Sequence, residues 1–396
     1  MDRPRVALAG PEDSQALLEI LEQSPLPGGV KLLYSRRPDA WESLQSEGRE
    51  VLVYKLESGA RWAAAGQPAP ADIAAFGACA VNSLLVDGQP RDVGYLFSFR
   101  IRPGQERAAA WFPGGYRFHF DQWRQRGVKR FLTTILSDNL AARKLLEKNR
   151  PSMPRYHYLG DIFTYSQRCR RRPARLPRLW SFGPARPEDL GELLEFRRKE
   201  GLRYQYFPLV EEADLVEDPR KTGRRAPVPP LDCWYLLRDD RGKIAACGAL
   251  WDQRKEKPYI VAGYQGLSSL LQPLSPWLSP LLGLPLLPPA GSTLKQFCAA
   301  FLLARGGETD KSEGRALGLF LDSLAAVGAE HPQGFDFFTW GLHQDNPLVM
   351  ALRHRRGLVL KSRLYEVMES PKASLPLSPA SSSSQKRIPY IEIGRL

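Results

Sequence analysis

Two Asp-Asn pairs are the clearest polar signals in a chain otherwise thin in reactive side chains. Asp138-Asn139 follows the apolar run Val128 to Leu136 and opens a helical pattern through Leu146. Asp345-Asn346 follows a second apolar run from Gly334 and opens another, with Pro347 at its first helical position. A short polar side chain at such a place accepts from N–H groups that the first helical turn leaves without partners. Proline is tolerated there because its missing N–H had no partner to lose. A third polar group, Trp251-Asp252-Gln253-Arg254, stands at a strand end. It suits either a turn with an internal ion pair or contact with a substrate. The histidines (His119, His157, His331, His343 and His354) lack metal-ligand spacing, and His119, set in an aromatic helix, reads as structural. No Ser-His-Asp context and no dinucleotide fingerprint occurs. The sequence thus offers no metal site and no nucleophile–base pair.

The elements that position these groups recur in order. Pro11-Glu12-Asp13 starts a helix through Leu17, Leu18 and Leu21, and AGPEDSQALLEI at Ala9 to Ile20 returns as ARPEDLGELLEF at Ala185 to Phe196. With the Asp-Asn landmark this makes two matches in the same order, the signature of an internal duplication. The second copy carries about thirty more residues between its landmarks, and a Pro/Leu-rich insertion at 266–291 accounts for them. In the first copy, strands are expected at Glu50 to Leu56, Asp72 to Val86 and Val93 to Ile101, with Asp87-Gly88 as a turn. A loop from Gly104 to Phe112 then leads into a helix from Pro113 to Arg126, and a strand at Tyr156 to Tyr165 closes the copy. The second copy repeats the order, with strands at Cys233 to Leu237, Lys243 to Trp251 and Gln296 to Leu303, a helix at Ala316 to Val327, and a last strand at Ser362 to Met368. The domains expected are 1–166, a basic linker at 167–179, 180–369, and a flexible tail at 370–396 ending in a short strand, Ile388 to Ile393, that suits a sheet edge.

At 396 residues the chain has room for two cores, and 43% hydrophobic with 25% charged residues is an ordinary globular balance. The net charge of +13 favours an anionic partner, a coenzyme before a nucleic acid. Cys79, Cys169, Cys233, Cys247 and Cys298 are scattered and odd in number, which points to reduced thiols in a cytoplasmic setting. The N-terminus lacks the apolar core of a signal peptide. No charge falls between Pro258 and Leu294, but prolines at 273, 276, 280, 285, 288 and 289 break any spanning helix. The segment reads as a buried, Pro-punctuated insertion of short turns.

The element order, the duplicated P-E-D start and the helix Asn139 to Ala142 resemble the GCN5-related N-acetyltransferase (GNAT) family, over roughly 4–166 and again over 180–369. The resemblance implies an α/β (α+β) fold of two tandem GNAT-like domains, each a mixed twisted sheet flanked by helices. It further implies that two neighbouring parallel strands splay apart to admit the thioester arm of acetyl-CoA. The pyrophosphate would lie at the N-terminus of the next helix, where unpaired N–H groups and partial positive charge converge. By this likeness Phe99 and Ile101 border the arm, Arg107, Ala108, Ala110 and Phe112 form the phosphate loop, and Asn139 borders the coenzyme or simply caps its helix. The family's phosphate-loop glycines fall on Ala110 and Phe112, and the position of its acidic tyrosine falls on Leu146, with Arg353 in the second copy. Tyr156 and Tyr158 are read as core or edge aromatics, and no catalytic acid is assigned.

The implied activity is transfer of an acyl group, acetyl above others, from coenzyme A to an amine of a small molecule or protein, with the first copy favoured as the coenzyme site. Two alternatives follow from the same residues. The altered loops suit a non-catalytic binding or scaffold protein, and the positive charge suits an aminoacyl transferase that uses charged tRNA.

Overall fold

Strands β1 (Arg5–Leu8), β2 (Val30–Tyr34), β3 (Glu50–Glu57), β4 (Ile73–Val86) and β5 (Gln89–Ile101) open the N-terminal half, with helices α1 (Ser14–Glu22) and α2 (Ala40–Gln45) between them. They are followed by α3 (Phe112–Gln125), β6 (Arg130–Leu136), α4 (Leu140–Leu146) and β7 (Arg155–Arg168). The C-terminal half begins with β8 (Ser181–Pro184), α5 (Leu190–Gly201), the short strands β9 (Tyr204–Gln205) and β10 (Phe207–Pro208), and α6 (Glu212–Val216). It continues through β11 (Trp234–Arg238), β12 (Ile244–Trp251), β13 (Tyr259–Tyr264), α7 (Leu267–Leu271) and α8 (Ser275–Leu282). Last come β14 (Gln296–Ala304), α9 (Asp310–Glu330), β15 (Phe337–His343), α10 (Leu348–Leu352), β16 (Leu358–Met368) and β17 (Ile388–Pro389). This computed structural model describes residues 4–23, 30–58, 73–148, 150, 152–216, 228–282, 287–306, 310–352, 354–355, 357–369 and 387–395. The Ser/Pro-rich stretch 370–384 and Arg353 lie outside them.

Both P-E-D motifs fold into the same start. Each forms one 3-10 turn whose aspartate accepts a backbone N–H three residues back, Asp13 from Gly10 and Asp189 from Arg186, both at 2.9 Å. The helices that follow, α1 and α5, bury Leu17, Leu18 and Leu21 in one half and Leu193 in the other. Central strands read as nearly continuous apolar runs because helices cover both of their faces. In β12 and β14, Ala246, Leu250 and Ala299 meet α9, while Cys247, Ala249 and Ala300 face α5.

The halves share one mixed sheet, ordered β1-β3-β4-β5-β6-β16-β7-β15-β14-β12-β11-β8. Its centre is an exchange of strands. β7, from the N-terminal half, pairs with β15 over the full length of the latter, and β16, from the C-terminal half, pairs with β6. β7 and β16 then pair antiparallel with each other from Arg155–Met368 to Ser166–Leu358. β7 runs through Arg168, so the first two residues of the basic stretch at 167–179 belong to the sheet. Gln167 is buried there and accepts the Trp340 indole N–H at 2.8 Å.

A second small sheet also joins the halves, β2 pairing antiparallel with β13 above the main sheet. The Pro/Leu-rich insertion hangs from β13, and it is not the buried segment its composition suggests. It contains α7 and α8, and exposes Leu270 at 69% and Trp277 at 78%. Pro276 stands in the first turn of α8, where a missing N–H costs nothing. Among the described residues no helix is long and apolar enough to cross a membrane. The C-terminal strand is shorter than expected. Only Ile388–Pro389 pairs, in parallel with β9, and the residues after it turn into the interior.

Candidate active site

β5 and β6 run parallel but pair only where Val93–Tyr95 meets Arg130–Leu132. Beyond that point they part, because β5 is deflected by a bulge. The register between β4 and β5 shifts between Phe76 and Ala78, and Ser98 takes φ +51°. A left-handed backbone is costly for a residue with a side chain, and such sites persist where the surrounding structure holds them. Thr133 Oγ1 donates to the Leu96 carbonyl at 2.9 Å and seals the closed end of the gap. Past it, β5 stays paired with β4 but has no strand beside it on the β6 side.

The gap opens into a cavity of about 680 Å³ lined by both halves. Phe97 and Tyr95 of β5, Ile135 of β6 and Tyr116 of α3 form one wall, while Phe297 and Leu360 contribute from the C-terminal half. The small sheet roofs it with Tyr34 and Tyr259, whose rings lie 5.1 Å apart. Behind this roof Glu47 is fully enclosed and holds two cations from different halves, Arg36 at 2.7 Å and Lys257 at 3.2 Å. Those cations keep the Glu47 carboxyl below its usual range against a burial effect that alone would raise it.

Among the residues expected from the sequence, Phe99, Phe112 and Asn139 line this cavity. Phe99 meets Phe112 edge to face at 4.6 Å. Asn139 accepts from Ala142 N–H at 3.1 Å, so it caps α4 and borders the cavity at once. Ile101 and buried Ala108 pack together behind the wall. Arg107 and Ala110 are exposed on a 3-10 turn, Glu106–Trp111, that replaces the expected loop and delivers the chain to α3. Glu106 Oε1 accepts Gly104 N–H at 3.0 Å, so a carboxylate already occupies part of this turn. Leu146 is buried beside the cavity.

Sequence reasoning passed over Gly114 and Gly115 in the first turn of α3. A Cβ at either would meet nothing within 4 Å, and Gly115 lies on the cavity wall. The backbone at these glycines is thus open to close approach, and Pro113-Gly114-Gly115 was the available signal. Tyr116 was also passed over, and Tyr156 was read as a core or edge aromatic. Their hydroxyls hydrogen-bond to each other at the cavity wall, and both pack in the cluster that holds Leu146. Burial pushes the Tyr116 hydroxyl up to about 12 and raises Tyr156 well above its ordinary value, so both stay protonated at neutral pH. His119 is buried with Nδ1 3.0 Å from the Tyr54 hydroxyl, and among the described residues Nε2 has no partner. Burial holds its imidazole down at about 3, which makes it neutral and weakly basic.

The C-terminal half has the matching gap. β14 and β15 pair in parallel only at Gln296–Cys298 with Phe337–Thr339, and a bulge follows at Phe301, with φ +54°. This gap is filled by the chain itself. Glu392 accepts Phe301 N–H at 2.6 Å and Gly394 N–H at 3.1 Å, and Ile393 packs where a side chain at Gly341 would overlap it. Asn346 accepts Leu348 N–H at 3.0 Å, as a cap, and is buried. Asp252 and Arg254 form the ion pair foreseen within their turn, at 2.8 Å, and Arg254 also reaches the cavity.

No protein-family model matches the chain, and no curated protein matches it. Solved structures do. N-myristoyltransferase of Saccharomyces cerevisiae with bound myristoyl-CoA superposes with a TM-score of 0.57 at 10% identity, over 94% of this chain and 86% of that one. A GCN5-related N-acetyltransferase from Sphaerobacter thermophilus superposes with a TM-score of 0.50 at 12% identity, over 92% and 96%. At such identities the likeness is one of fold, and the fold this chain shares with them is the mixed α/β architecture of GNAT-type acyltransferases.

Proposed function

We propose that the chain is an acyl-CoA-dependent N-acyltransferase whose coenzyme enters the gap between β5 and β6. One observation carries this reading: of two matching gaps, the first opens into a large cavity while the second is filled by residues 390–395. Equal P-E-D caps, equal bulges and equal gaps likewise support the reading of the chain as a duplicated unit. The pantetheine arm would run along the free edge of β5 past Phe99 and Ile101. The pyrophosphate would take the first-turn amides of α3 at Gly114 and Gly115, with Arg107, Ala108, Ala110 and Phe112 around the turn and Asn139 across the gap.

The amine nitrogen attacks the thioester carbonyl carbon, the C–N bond forms, the C–S bond breaks, and sulfur leaves as thiolate. N–H groups freed at the Ser98 bulge suit the developing oxyanion. The Tyr116–Tyr156 pair stands beside Leu146, where the resemblance leads one to seek an acid, and would hand the thiolate a proton. Among the described residues no Asp or Glu lines the cavity, and His119 is too weak a base. The amine therefore enters as its free base and gives its surplus proton to water, from which the tyrosine pair takes back the proton it gave to sulfur.

A volume of about 680 Å³ exceeds what acetyl needs and suits a longer apolar acyl chain. The yeast neighbour, which binds myristoyl-CoA, supports the same extension. Calorimetric titration with acetyl-, octanoyl- and myristoyl-CoA tests both points. One site per chain is expected, with affinity rising as methylenes are added. No heat and no thermal shift with any of the three would refute the proposal. Binding without turnover of any amine would instead favour the scaffold reading, for which Leu146 in place of an acid is the supporting observation.

A further inference from the structure

Among the described residues five cations reach the cavity wall, and four are matched by carboxylates behind it. Arg36 pairs with Glu47 at 2.7 Å, Lys257 with Glu47 at 3.2 Å, Lys55 with Asp13 at 2.9 Å and Arg254 with Asp252 at 2.8 Å. Arg100 is the exception. Its hydrogen bond among the described residues goes to the neighbouring Phe99 carbonyl, at 2.9 Å, and no described carboxylate pairs with it. It is half-buried on the cavity wall, with Tyr34, Tyr259 and Arg36 of the roof as its electrostatic neighbours. Burial and the like charge of Arg36 both lower its pKa, the mark of a guanidinium lacking a counter-charge. A guanidinium that faces a largely apolar cavity with no described carboxylate beside it is a ready partner for an anionic group on a ligand.

Its position says which ligand. Successive strand residues point to opposite faces. Phe99 turns to α3 and meets Phe112, on the coenzyme side. Arg100 turns to the other face, beneath the roof, two residues past the Ser98 bulge where the thioester carbonyl would lie. The planar guanidinium fork fits a carboxylate with two parallel hydrogen bonds, and one cation matches one negative charge. We propose that Arg100 anchors a carboxylate on the acceptor, so that the amine acylated here belongs to a molecule that also carries an acid group. The inference rests on the acyltransfer reading, because it names the acceptor class of that reaction.

The test uses matched pairs with the full chain and octanoyl-CoA: leucine against isoamylamine, and phenylalanine against phenethylamine. Wild type should acylate the acid-bearing member with kcat/KM about ten- to a hundredfold higher. Arg100→Gln should erase that preference and leave the octanoyl-CoA Kd unchanged, and Arg100→Lys, melting at the wild-type temperature, should keep most of it. Independently of turnover, 3-phenylpropionate should bind wild type at least tenfold more tightly than Arg100→Gln. Equal use of both members by wild type, or a preference that survives in Arg100→Gln, overturns the proposal. So does an Arg100-dependent preference for suberoyl-CoA over octanoyl-CoA, which would put the acid on the acyl group. Failure of every acyl-CoA to bind strikes the acyltransfer reading instead, and the 3-phenylpropionate titration then decides the fate of Arg100 alone.

Discussion

The backbone N–H of Phe301 donates to Glu392 Oε2 at 2.6 Å, at the bulge that corresponds to Ser98 in the other half. A carboxylate from the chain's own C-terminal segment thus sits where the first half has free backbone. The Gly394 carbonyl accepts from Lys257 Nζ and Gln253 Nε2, both at 2.6 Å, so the segment is held from two sides. One acyl-CoA per chain is the expected calorimetric stoichiometry, and two would show that the second gap opens. Glu392→Ala would strand the N–H groups of Phe301 and Gly394, at about 1–3 kcal/mol each, and lower Tm by several degrees.

The Tyr116–Tyr156 pair separates chemistry from packing. Removing one hydroxyl, as Tyr156→Phe or Tyr116→Phe, keeps the rings and takes away the proton source. kcat should fall by about a hundredfold or more in the variant that removes the acid, with the acyl-CoA Kd unchanged. A change in kcat below twofold in both variants would leave the pair a packing feature.

Much of the scaffold was legible because its signals are local. Pro11-Glu12-Asp13 and Pro187-Glu188-Asp189 fix their caps within three residues, and Asn139 and Asn346 cap the helices they precede. The strand exchange was not legible. β7 and β16 alternate as any strand does, and nothing within Arg155–Arg168 says that its neighbour is β15 and not β6. The site suffered from the same limit. Arg100 reads as an ordinary charged position in an alternating strand until β2 and β13, far apart in sequence, close above it. Ile388 to Ile393 looked like an edge strand because a gap that accepts it exists only in the folded sheet. Leu270 and Trp277 looked buried because composition records apolarity and not whether another layer is present.

His119 predicts a pH dependence of stability. Its imidazole titrates near 6.5 when unfolded and at about 3 in the fold. The unfolded chain therefore binds a proton first, and stability is lost as pH falls from about 6.5 toward 3. The slope from this group approaches about 1.4 kcal/mol per pH unit inside that window and vanishes above it. His119→Phe should flatten the decline in urea-unfolding free energy between pH 6 and 4 by up to this amount. An unchanged slope would mean that the imidazole ionises freely in the fold.

Glu47 is the junction on which the roof depends. It meets Arg36 of its own half and Lys257 of the other, and all three are buried. Glu47→Ala would leave two like cations enclosed without a counter-charge, and breaking a buried pair in this way costs about 3–5 kcal/mol. Replacing the group as a whole is different, since an apolar set of similar volume is often neutral or stabilising. Glu47→Leu with Arg36→Met and Lys257→Met should accordingly recover most of the stability lost in Glu47→Ala. The Lys257 ammonium also donates to the Gly394 carbonyl at 2.6 Å, so the triple variant gives up the clasp on the C-terminal segment while refilling the junction. Thermal melts of the single and triple variants separate the two contributions. If Glu47→Ala melted within about 2 °C of wild type, corresponding to less than about 1 kcal/mol, the junction would not be what holds the roof over the cavity.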